Sequence, residues 1–279
     1  MRIFDMHVHS NWADAGKGGE FLTKLDQAGY EGAVVLSPLV DADDPNPTPQ
    51  KQRESIDFIT KFAGAGRDRI IPFAHIAPQV PGAADAVKYA KDRGCLGLKM
   101  LPNHWYPYDP EICFPVYRAA QEAELPILFH SGILWGFMDS SRFCRPVYYE
   151  ALMHFPKVRF ALAHISWPWT DECIATWGRI DVQCRKSGIP EQMFIDCTPG
   201  TPRFYRSEAI DRAVRYCSCN YLVYGTDNLV SSDAAAFRDS FRCDREIMQG
   251  ELSVPQAEQE KFFGLNLLNS LLGGRFPAR

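Results

Sequence analysis

The stretch Ile3-Phe4-Asp5-Met6-His7-Val8-His9 decides the fold, because it combines a strand pattern with two histidines two residues apart. Alternate residues of a β-strand project from the same face, so we expect the imidazoles of His7 and His9 side by side. Two imidazoles at this spacing are typical of a metal-ligand pair. The first strand therefore predicts a metal site.

Three later strand-like runs also end on a side chain that binds metals. His130 ends the run 126–130, His164 ends the run 159–164, and Asp227 directly follows the run 221–226. Apolar strands that each deliver one His or Asp at the carboxyl end are typical of the active site of a barrel enzyme.

Short apolar runs recur along the chain, and helical or long polar segments separate them. The eight runs are 3–7, 32–37, 70–75, 96–100, 126–130, 159–164, 193–197 and 221–226. The amphipathic segments are 19–28, 51–63, 83–93, 111–124, 171–187, 207–216 and 232–249, with a closing helix at 257–272. This alternation predicts an α/β fold, a (β/α)8 TIM barrel with an eight-stranded parallel barrel and helices outside. An open doubly wound sheet is the alternative, but it usually carries a glycine-rich turn where His9 and Ser10 stand.

Length and composition narrow the function. The 279 residues suit one barrel domain over residues 1–279, and a net charge of -4 gives no basic surface for nucleic acid. No apolar run approaches the roughly 18 residues of a membrane span, and the first strand leaves no room for a signal peptide. We therefore expect a cytoplasmic protein with a small-molecule substrate, without nucleic-acid or membrane partners, and with its nine cysteines reduced.

The predicted metal ligands are His7, His9, His130 and Asp227, which supply three imidazole nitrogens and one carboxylate oxygen. Divalent ions such as Zn²⁺ accept this set, and a catalytic site keeps one position open for water or substrate. Because strand ends converge at the mouth of a barrel, the distances between these residues along the chain are no obstacle.

Several motifs, in this order along the chain, resemble the amidohydrolase superfamily, and within it the amidohydrolase 2 branch. That branch includes aminocarboxymuconate-semialdehyde decarboxylase and related aromatic-acid decarboxylases. The motifs are Asp5-Met6-His7-Val8-His9, Gly97-Leu98-Lys99-Met100-Leu101-Pro102, Leu125-Pro126-Ile127-Leu128-Phe129-His130-Ser131-Gly132, Ala163-His164 and Tyr224-Gly225-Thr226-Asp227.

The resemblance implies roles for these residues. His7, His9 and His130 would bind one divalent metal, with Zn²⁺ expected and Mn²⁺ or Fe²⁺ as alternatives. Asp227 would be a further ligand and the proton acceptor. His164 would stand beside the metal-bound water as a neutral imidazole that donates to the oxygen on which negative charge develops.

Other polar residues at strand ends keep alternative roles. Lys99 is interpreted as a carboxylated lysine bridging two metals, a contact for a substrate anion, or a structural ammonium. Asp5 is either a partner that fixes a histidine tautomer or an ordinary capped carboxylate. At the end of strand seven, either Asp196 or Cys197 faces inward, and His75 faces either the mouth or the helices.

Loops after the later strands supply the predicted substrate contacts. The related pattern often has a histidine at Leu101, whereas here His104 lies three residues on. The aromatic residues suit either an apolar pocket wall or packing at the rim or a subunit interface. The candidate contacts are Lys99, His104, Arg203, Trp105, Trp135 and Trp167.

Our main functional hypothesis is a mononuclear metal-dependent hydrolase whose metal-bound hydroxide attacks an amide, lactone or ester of a small carboxylate-bearing substrate. The alternative uses the same residues as a lyase that decarboxylates an aromatic or muconate-type acid. A binding barrel without catalysis is the third hypothesis, against which the intact ligand set argues. Related barrels and the surplus of aromatic residues favour a homodimer.

Overall fold

Strands and helices alternate along the chain, and the strands pair in parallel. The computed structural model describes residues 1–41, 44–136 and 140–276. Its strands are β1 (Phe4–His9), β2 (Gly32–Leu36), β3 (Ile70–His75), β4 (Gly97–Met100), β5 (Ile127–Phe129), β6 (Phe160–Leu162), β7 (Met193–Asp196), β8 (Leu222–Val223) and β9 (Asn228–Leu229). They form one curled sheet in the order β8-β7-β6-β5-β4-β3-β2-β1-β9, so the TIM-barrel-like α/β architecture is confirmed.

The strand count differs from the predicted eight because a short ninth strand, β9, follows the last predicted run, 221–226, which contains β8. β8 pairs with β7 and β9 pairs with β1, and Asp227 lies between β8 and β9. The backbone N–H of Met6 also donates to the Tyr224 carbonyl at 2.9 Å, and that of Asp227 to the His7 carbonyl at 2.9 Å. The segment that carries Asp227 is thus bonded to the first strand of the sheet.

Helices surround the sheet close to the predicted positions. The α-helices are α1 (Gly18–Ala28), α2 (Pro49–Ala63), α3 (Ala83–Arg93), α4 (Cys113–Ala123), α5 (Ser140–Phe143), α6 (Thr170–Ser187), α7 (Arg203–Cys217), α8 (Ala234–Arg245) and α9 (Gln256–Glu260). Wider π-type turns at Glu246–Glu251 and Lys261–Leu271 extend α8 and α9, and short 3-10 helices span Trp12–Asp14, Pro146–His154, Ala163–Ser166 and Cys219–Tyr221. No helix in the described ranges is both long and apolar enough to cross a membrane.

The inside of the curled sheet is filled by an interior cluster of apolar side chains. Its buried members are Phe4, Met6, Val34, Leu36, Ile71, Phe73, Leu128, Ala161, Ala163, Phe194, Val223, Leu267, Leu268, Leu271, Leu272 and Phe276. The closing helix thus supplies leucines to this cluster. A larger outer cluster packs the other strand faces against the helices.

β4 differs from its neighbours on the inward face. Leu98 and Met100 belong to the outer cluster, so Gly97 and Lys99 are its inward positions. A Cβ at Gly97 would lie 2.2 Å from the Phe73 ring, so only glycine fits there. Lys99 is the next inward position, towards the carboxyl end of the strand.

A bulge in β1 sets the direction of its histidines. Phe4 and Met6 pack in the interior cluster, but Val8 packs in the outer cluster, which breaks the alternation of a regular strand. The pairing register with β2 shifts between Asp5 and Val8. One extra residue in a strand re-aims the side chains that follow it. The bulge therefore removes Asp5 from the face that carries His7 and His9.

A buried ion pair joins α7 and α8 below the carboxyl end of β7. Arg206 and Asp244 each expose 2% of their surface. Arg206 Nε donates to Asp244 Oδ1 at 2.6 Å, and its Nη2 donates to the Cys197 carbonyl at 2.5 Å. This guanidinium therefore fixes the backbone that leaves β7.

We expect Arg206→Met to lower the free energy of unfolding by about 3–5 kcal/mol, because it leaves the Asp244 carboxylate buried without its partner. Urea denaturation followed by circular dichroism measures this change. Arg215→Met is the control, since its ion pair with Asp211 on α7 is exposed and should matter by less than about 1 kcal/mol. Equal losses in the two variants would contradict the prediction.

Candidate active site

A cavity of about 270 Å³ opens at the carboxyl ends of the strands. Its polar lining combines residues from five strand ends: His9, Lys99, His130, His164 and Asp227. Apolar walls come from the segment after β5, including Trp135. The predicted convergence of strand ends at one mouth is therefore found for these five side chains.

Three predicted ligand atoms lie close together at the floor of this cavity. His7 Nε2 is 3.1 Å from His9 Nε2, His9 Nε2 is 3.1 Å from Asp227 Oδ1, and His7 Nε2 is 3.5 Å from Asp227 Oδ1. Ligand atoms arranged tetrahedrally at about 2.0–2.1 Å from Zn²⁺ are separated by roughly 3.3 Å. The spacing of these atoms therefore fits one divalent ion.

His130 and His164 complete the set of imidazoles around this floor. His130 Nε2 is buried without a hydrogen-bond partner in the described part of the chain, as expected of an atom that a metal would bind. Ligand atoms of His7, His164 and Asp227 also lie within 4.8 Å of one another. The rings of His130 and His164 are 5.0 Å apart. His164 thus lies as near the floor as the predicted ligands.

Burial fixes the charges of these groups. It lowers the pKa of His7 and His130 well below their ordinary value and that of His164 to about 4. Burial opposes ionisation of Asp227, but the facing imidazoles of His164 and His7 hold the pKa of its carboxyl well below the usual range. Near neutral pH His7, His130 and His164 are therefore neutral and Asp227 is a carboxylate, which are the protonation states that a divalent metal needs in its ligands.

A buried chain of hydrogen bonds links His7 to His164 through β7. His7 Nδ1 donates to Asp196 Oδ2 at 2.7 Å. Thr198 Oγ1 lies 3.1 Å from Asp196 Oδ2 and 2.8 Å from His164 Nδ1. Asp196 is thus the side chain of strand seven that faces inward, whereas Cys197 packs in the outer cluster.

These hydrogen bonds define the tautomers of His7 and His164. Burial raises the pKa of Asp196 only to about 6, so its carboxylate accepts near neutral pH. Thr198 has one hydroxyl proton, which goes to Asp196, and its oxygen must then accept from His164 Nδ1. Neutral His7 and His164 therefore both keep an unprotonated Nε2. The predicted donor role of His164 does not fit this arrangement, because its Nε2 carries no proton.

Of the two alternatives for Asp5, the structure shows the capped carboxylate and not the partner of a histidine ring. Its Oδ1 accepts from the backbone N–H of His7 and of Thr226, each at 2.9 Å, and its Oδ2 accepts from Thr226 Oγ1 at 2.6 Å. The bulge in β1 is the physical reason, because it removes Asp5 from the histidine face. Asp5 ties β1 to the segment before Asp227, and Asp196 fixes the tautomer of His7 instead.

The backbone is strained where it presents His164 and Asp227. His164, Ile165 and Ser166 have φ values of 63°, 49° and 54°, and Asp227 has a φ of 58°. Left-handed backbone at residues other than glycine costs about 1–3 kcal/mol each and clusters at functional sites. Close packing holds the His164 ring, since a Cβ at Gly200 would lie 2.4 Å from its Cγ.

Lys99 lies among the candidate ligands. The residue is 1% exposed, and its Nζ is 3.2 Å from His7 Nε2. Burial lowers the pKa of Lys99 to about 8, while the carboxylates of Asp227 and Asp196 oppose that shift. Lys99 is therefore a buried cation at the floor of the cavity.

The structure separates the predicted substrate contacts into two groups. Trp135 lines the cavity, and Trp167 stacks on it with ring centres 5.9 Å apart. Among the described residues that line the cavity, His104, Arg203 and Trp105 are absent. His104 and Arg203 are exposed on the surface, and Trp105 is buried in the outer cluster.

Sequence reasoning missed the role of Thr198 and left Asp196 as one of two alternatives. The available signal was the Asp-x-Thr spacing of residues 196–198 after an apolar strand.

His75 is a core residue, because it is fully buried and its Nδ1 accepts from the backbone N–H of Val40 at 3.3 Å.

A curled parallel sheet whose strands end on histidine and aspartate side chains is typical of barrel enzymes that bind a metal at the carboxyl ends of their strands. Within that class, the family model described as amidohydrolase matches residues 4–266, and the chain belongs to this family. No curated protein matches the chain in sequence.

Solved structures with the same fold cover nearly the whole chain. The 5-carboxyvanillate decarboxylase of Sphingomonas paucimobilis has a TM-score of 0.69 at 13% identity, covering 97% of this chain and 98% of its own. A probable 2-pyrone-4,6-dicarboxylic acid hydrolase of Acinetobacter baumannii has a TM-score of 0.66 at 12% identity, covering 98% and 100%. The 5-carboxyvanillate decarboxylase of Novosphingobium aromaticivorans, complexed with manganese and a nitrobenzoic acid, has a TM-score of 0.66 at 13% identity, covering 98% and 96%.

We expect Thr198→Val to reverse the tautomer of His164, because the Nδ1 proton loses its buried acceptor, whereas the Asp227 carboxylate lies within 4.8 Å of a His164 ring nitrogen and favours a proton facing it. Long-range ¹H–¹⁵N spectra of metal-free, histidine-labelled protein report which ring nitrogen carries the proton. The wild type should show His164 protonated at Nδ1, and Thr198→Val should show it protonated at Nε2.

Thr198→Ser is the matched control, since it keeps the hydroxyl and should retain the wild-type spectrum. A wild-type spectrum with His164 protonated at Nε2 would show that the assigned direction of the hydrogen bonds is wrong.

Proposed function

We propose that this protein is a metal-dependent hydrolase that cleaves an amide, lactone or ester bond in a small substrate bearing a carboxylate. One observation carries the proposal: the Nε2 atoms of His7 and His9 and the Asp227 carboxylate meet at 3.1–3.5 Å on the floor of a cavity at the strand ends. Membership of the amidohydrolase family supports it.

The residues that would hold the metal are His7, His9, His130 and Asp227. When bound, a divalent ion supplies Lewis acidity to a carbonyl and lowers the pKa of water at its open position to about 7. Imidazole and carboxylate ligands suit Zn²⁺, and manganese in the Novosphingobium decarboxylase keeps Mn²⁺ as the alternative. Lys99 Nζ would have to leave His7 Nε2, because that lone pair cannot serve both.

Asp227 would transfer the proton, and His164 would orient the water. Asp227 is ionised near neutral pH, so its carboxylate accepts a proton from the attacking water and passes it to the leaving atom. His164 Nε2 is a second acceptor on the same floor, held in place by Thr198. It orients the water by accepting one of its hydrogens, a role that the unprotonated nitrogen allows.

The charge, apolar wall and volume of the cavity support a small substrate that bears a carboxylate. The ammonium of Lys99 is the cation that a substrate carboxylate would meet inside the cavity. Trp135 and the neighbouring apolar side chains give a wall for the rest of the molecule and limit the access of water. A volume of about 270 Å³ suits a small molecule.

Decarboxylation of an aromatic or muconate-type acid is the second candidate. Two of the solved structures described above are decarboxylases of an aromatic acid. The same residues would serve, with Lys99 and the metal ligands positioning the acid and Asp227 handling the proton at carbon. The product distinguishes the reactions, since decarboxylation releases CO2 and hydrolysis adds water.

Purified protein should contain about one equivalent of divalent metal per chain, because the donor set fits one ion. His130→Ala should lose most of it, since His130 would contribute a nitrogen to the ion. Plasma mass spectrometry measures the metal content. His154→Ala is the control, because His154 lies on the surface and contacts Tyr108. Two equivalents would instead support a bridging Lys99, and no metal even after reconstitution would contradict the proposal.

Asp227→Asn should lower kcat by about 100-fold or more, because the amide cannot accept a proton, and general-base catalysis contributes about 10²–10⁴-fold. The assay is a panel of small carboxylate-bearing amides, lactones and esters, with aromatic acids tested in parallel for released CO2. His154→Ala again serves as the control and should keep wild-type turnover. Undiminished hydrolysis by Asp227→Asn with the best substrate would overturn the assigned role of Asp227.

A further inference from the structure

A second cavity, of about 780 Å³, lies at the amino ends of the strands, opposite the candidate active site. Its lining includes Pro126, Arg159 and Gln192, the residues that immediately precede β5, β6 and β7. The other ends of β5 and β6 lead to His130 and His164. This basal cavity is therefore separated from the candidate active site by the length of the strands.

Arg275 lines the basal cavity, and its guanidinium carries hydrogen-bond donors that have no partner in the described part of the chain. Its Nε donates to the Leu272 carbonyl at 2.9 Å. Both terminal nitrogens, Nη1 and Nη2, expose less than 1 Å² each and have no hydrogen-bond partner within the described ranges. The guanidinium is a rigid planar fork that suits the two oxygens of a carboxylate or phosphate. Buried donors of this kind are costly unless something accepts from them.

Arg159 is a second cation in the same cavity. Its Nη1 donates to the Ser270 carbonyl at 2.8 Å. Gly273 lies against its guanidinium, where a Cβ would be 2.3 Å from Nη1, and its φ of 64° also favours glycine. The basal cavity thus has two half-buried arginine residues in its lining, and the backbone of Gly273 packs against the guanidinium of Arg159.

No carboxylate in the described part of the chain lies within the 4.0 Å of an ion pair from either guanidinium. Burial lowers the pKa of both arginines, and the charge of Arg159 lowers that of Arg275 further, while Glu124 acts in the opposite direction. Glu124 and Glu122 are exposed at the rim together with Lys157. The interior is therefore positive, whereas the rim carries both signs, which disfavours a large polyanion.

We propose that the basal cavity binds a small oxyanion, with a carboxylate or phosphate group in the fork of Arg275 and Arg159 as the second cation. The Arg275 guanidinium turns into the cavity on binding, so that the ligand accepts from its two Nη atoms and compensates the two positive charges. This site is distinct from the candidate active site and requires neither the metal nor the proposed reaction.

Thermal unfolding of the whole protein tests the proposal, with inorganic phosphate and succinate as probes against sodium chloride at equal ionic strength. Binding to the folded state raises the unfolding midpoint with ligand concentration. We expect at least one of the two probes to raise it for the wild type. A rise with phosphate alone identifies a phosphate site, and a rise with succinate alone identifies a carboxylate site.

Arg275→Gln should weaken binding at least about tenfold, because it removes the charge and the fork. Arg275→Lys keeps the charge without the fork and should bind with intermediate strength. Arg67→Gln is the matched control, since Arg67 is exposed just before β3 and does not line the basal cavity. It should bind like the wild type.

Two results would overturn the proposal. One is that neither probe stabilises the wild type beyond chloride. The other is that Arg275→Gln and Arg67→Gln respond to the probes equally, which would indicate general screening of charge or binding elsewhere. Because these readouts require no turnover, failure of the proposed hydrolase activity leaves this test intact.

Discussion

The hydrogen bond from His7 Nδ1 to Asp196 Oδ2 is the contact on which the rest of the site depends. It joins the first strand to the seventh across the mouth of the sheet at 2.7 Å, with both side chains fully buried. Because the proton is on Nδ1, the lone pair of Nε2 faces His9 and Asp227. The same carboxylate accepts from Thr198, which in turn accepts from His164. One buried anion thus determines which nitrogen two histidines offer to the cavity.

This arrangement lowers the stability of the fold at the site itself. Burial favours the neutral form of the imidazoles and opposes the carboxylates, and the strained backbone at His164–Ser166 and at Asp227 adds its own cost. The interior cluster and the closing helix beneath the site supply compensating apolar burial. Buried ionisable groups and left-handed backbone at residues other than glycine, when they occur together, are typical of a functional site.

The sequence predicted the fold and the cavity residues for a common reason: both depend on periodic patterns. Apolar runs that alternate with amphipathic segments indicated the parallel sheet, and polar residues at the ends of those runs indicated His9, His130, His164 and Asp227. The tautomers could not be predicted this way, because they depend on contacts of the β7 end with His7 of β1 and with His164 after β6, which no local pattern encodes. The bulge in β1 also escaped detection, since period-two counting assumes a regular strand. The prediction that His104 and Trp105 contact the substrate was wrong, because the spacing of residues does not determine the direction that a loop takes.

The pairing of β9 with β1 has a consequence for how the protein is made. His7 and His9 are synthesised before Asp227, which follows more than two hundred residues later in the chain. Contacts this distant in the chain form late in folding, because they close a very long loop. A nascent chain therefore has a histidine pair but no carboxylate to complete it. The full donor set arises only when the last strand joins the first, so tight capture of a metal is tied to completion of the sheet.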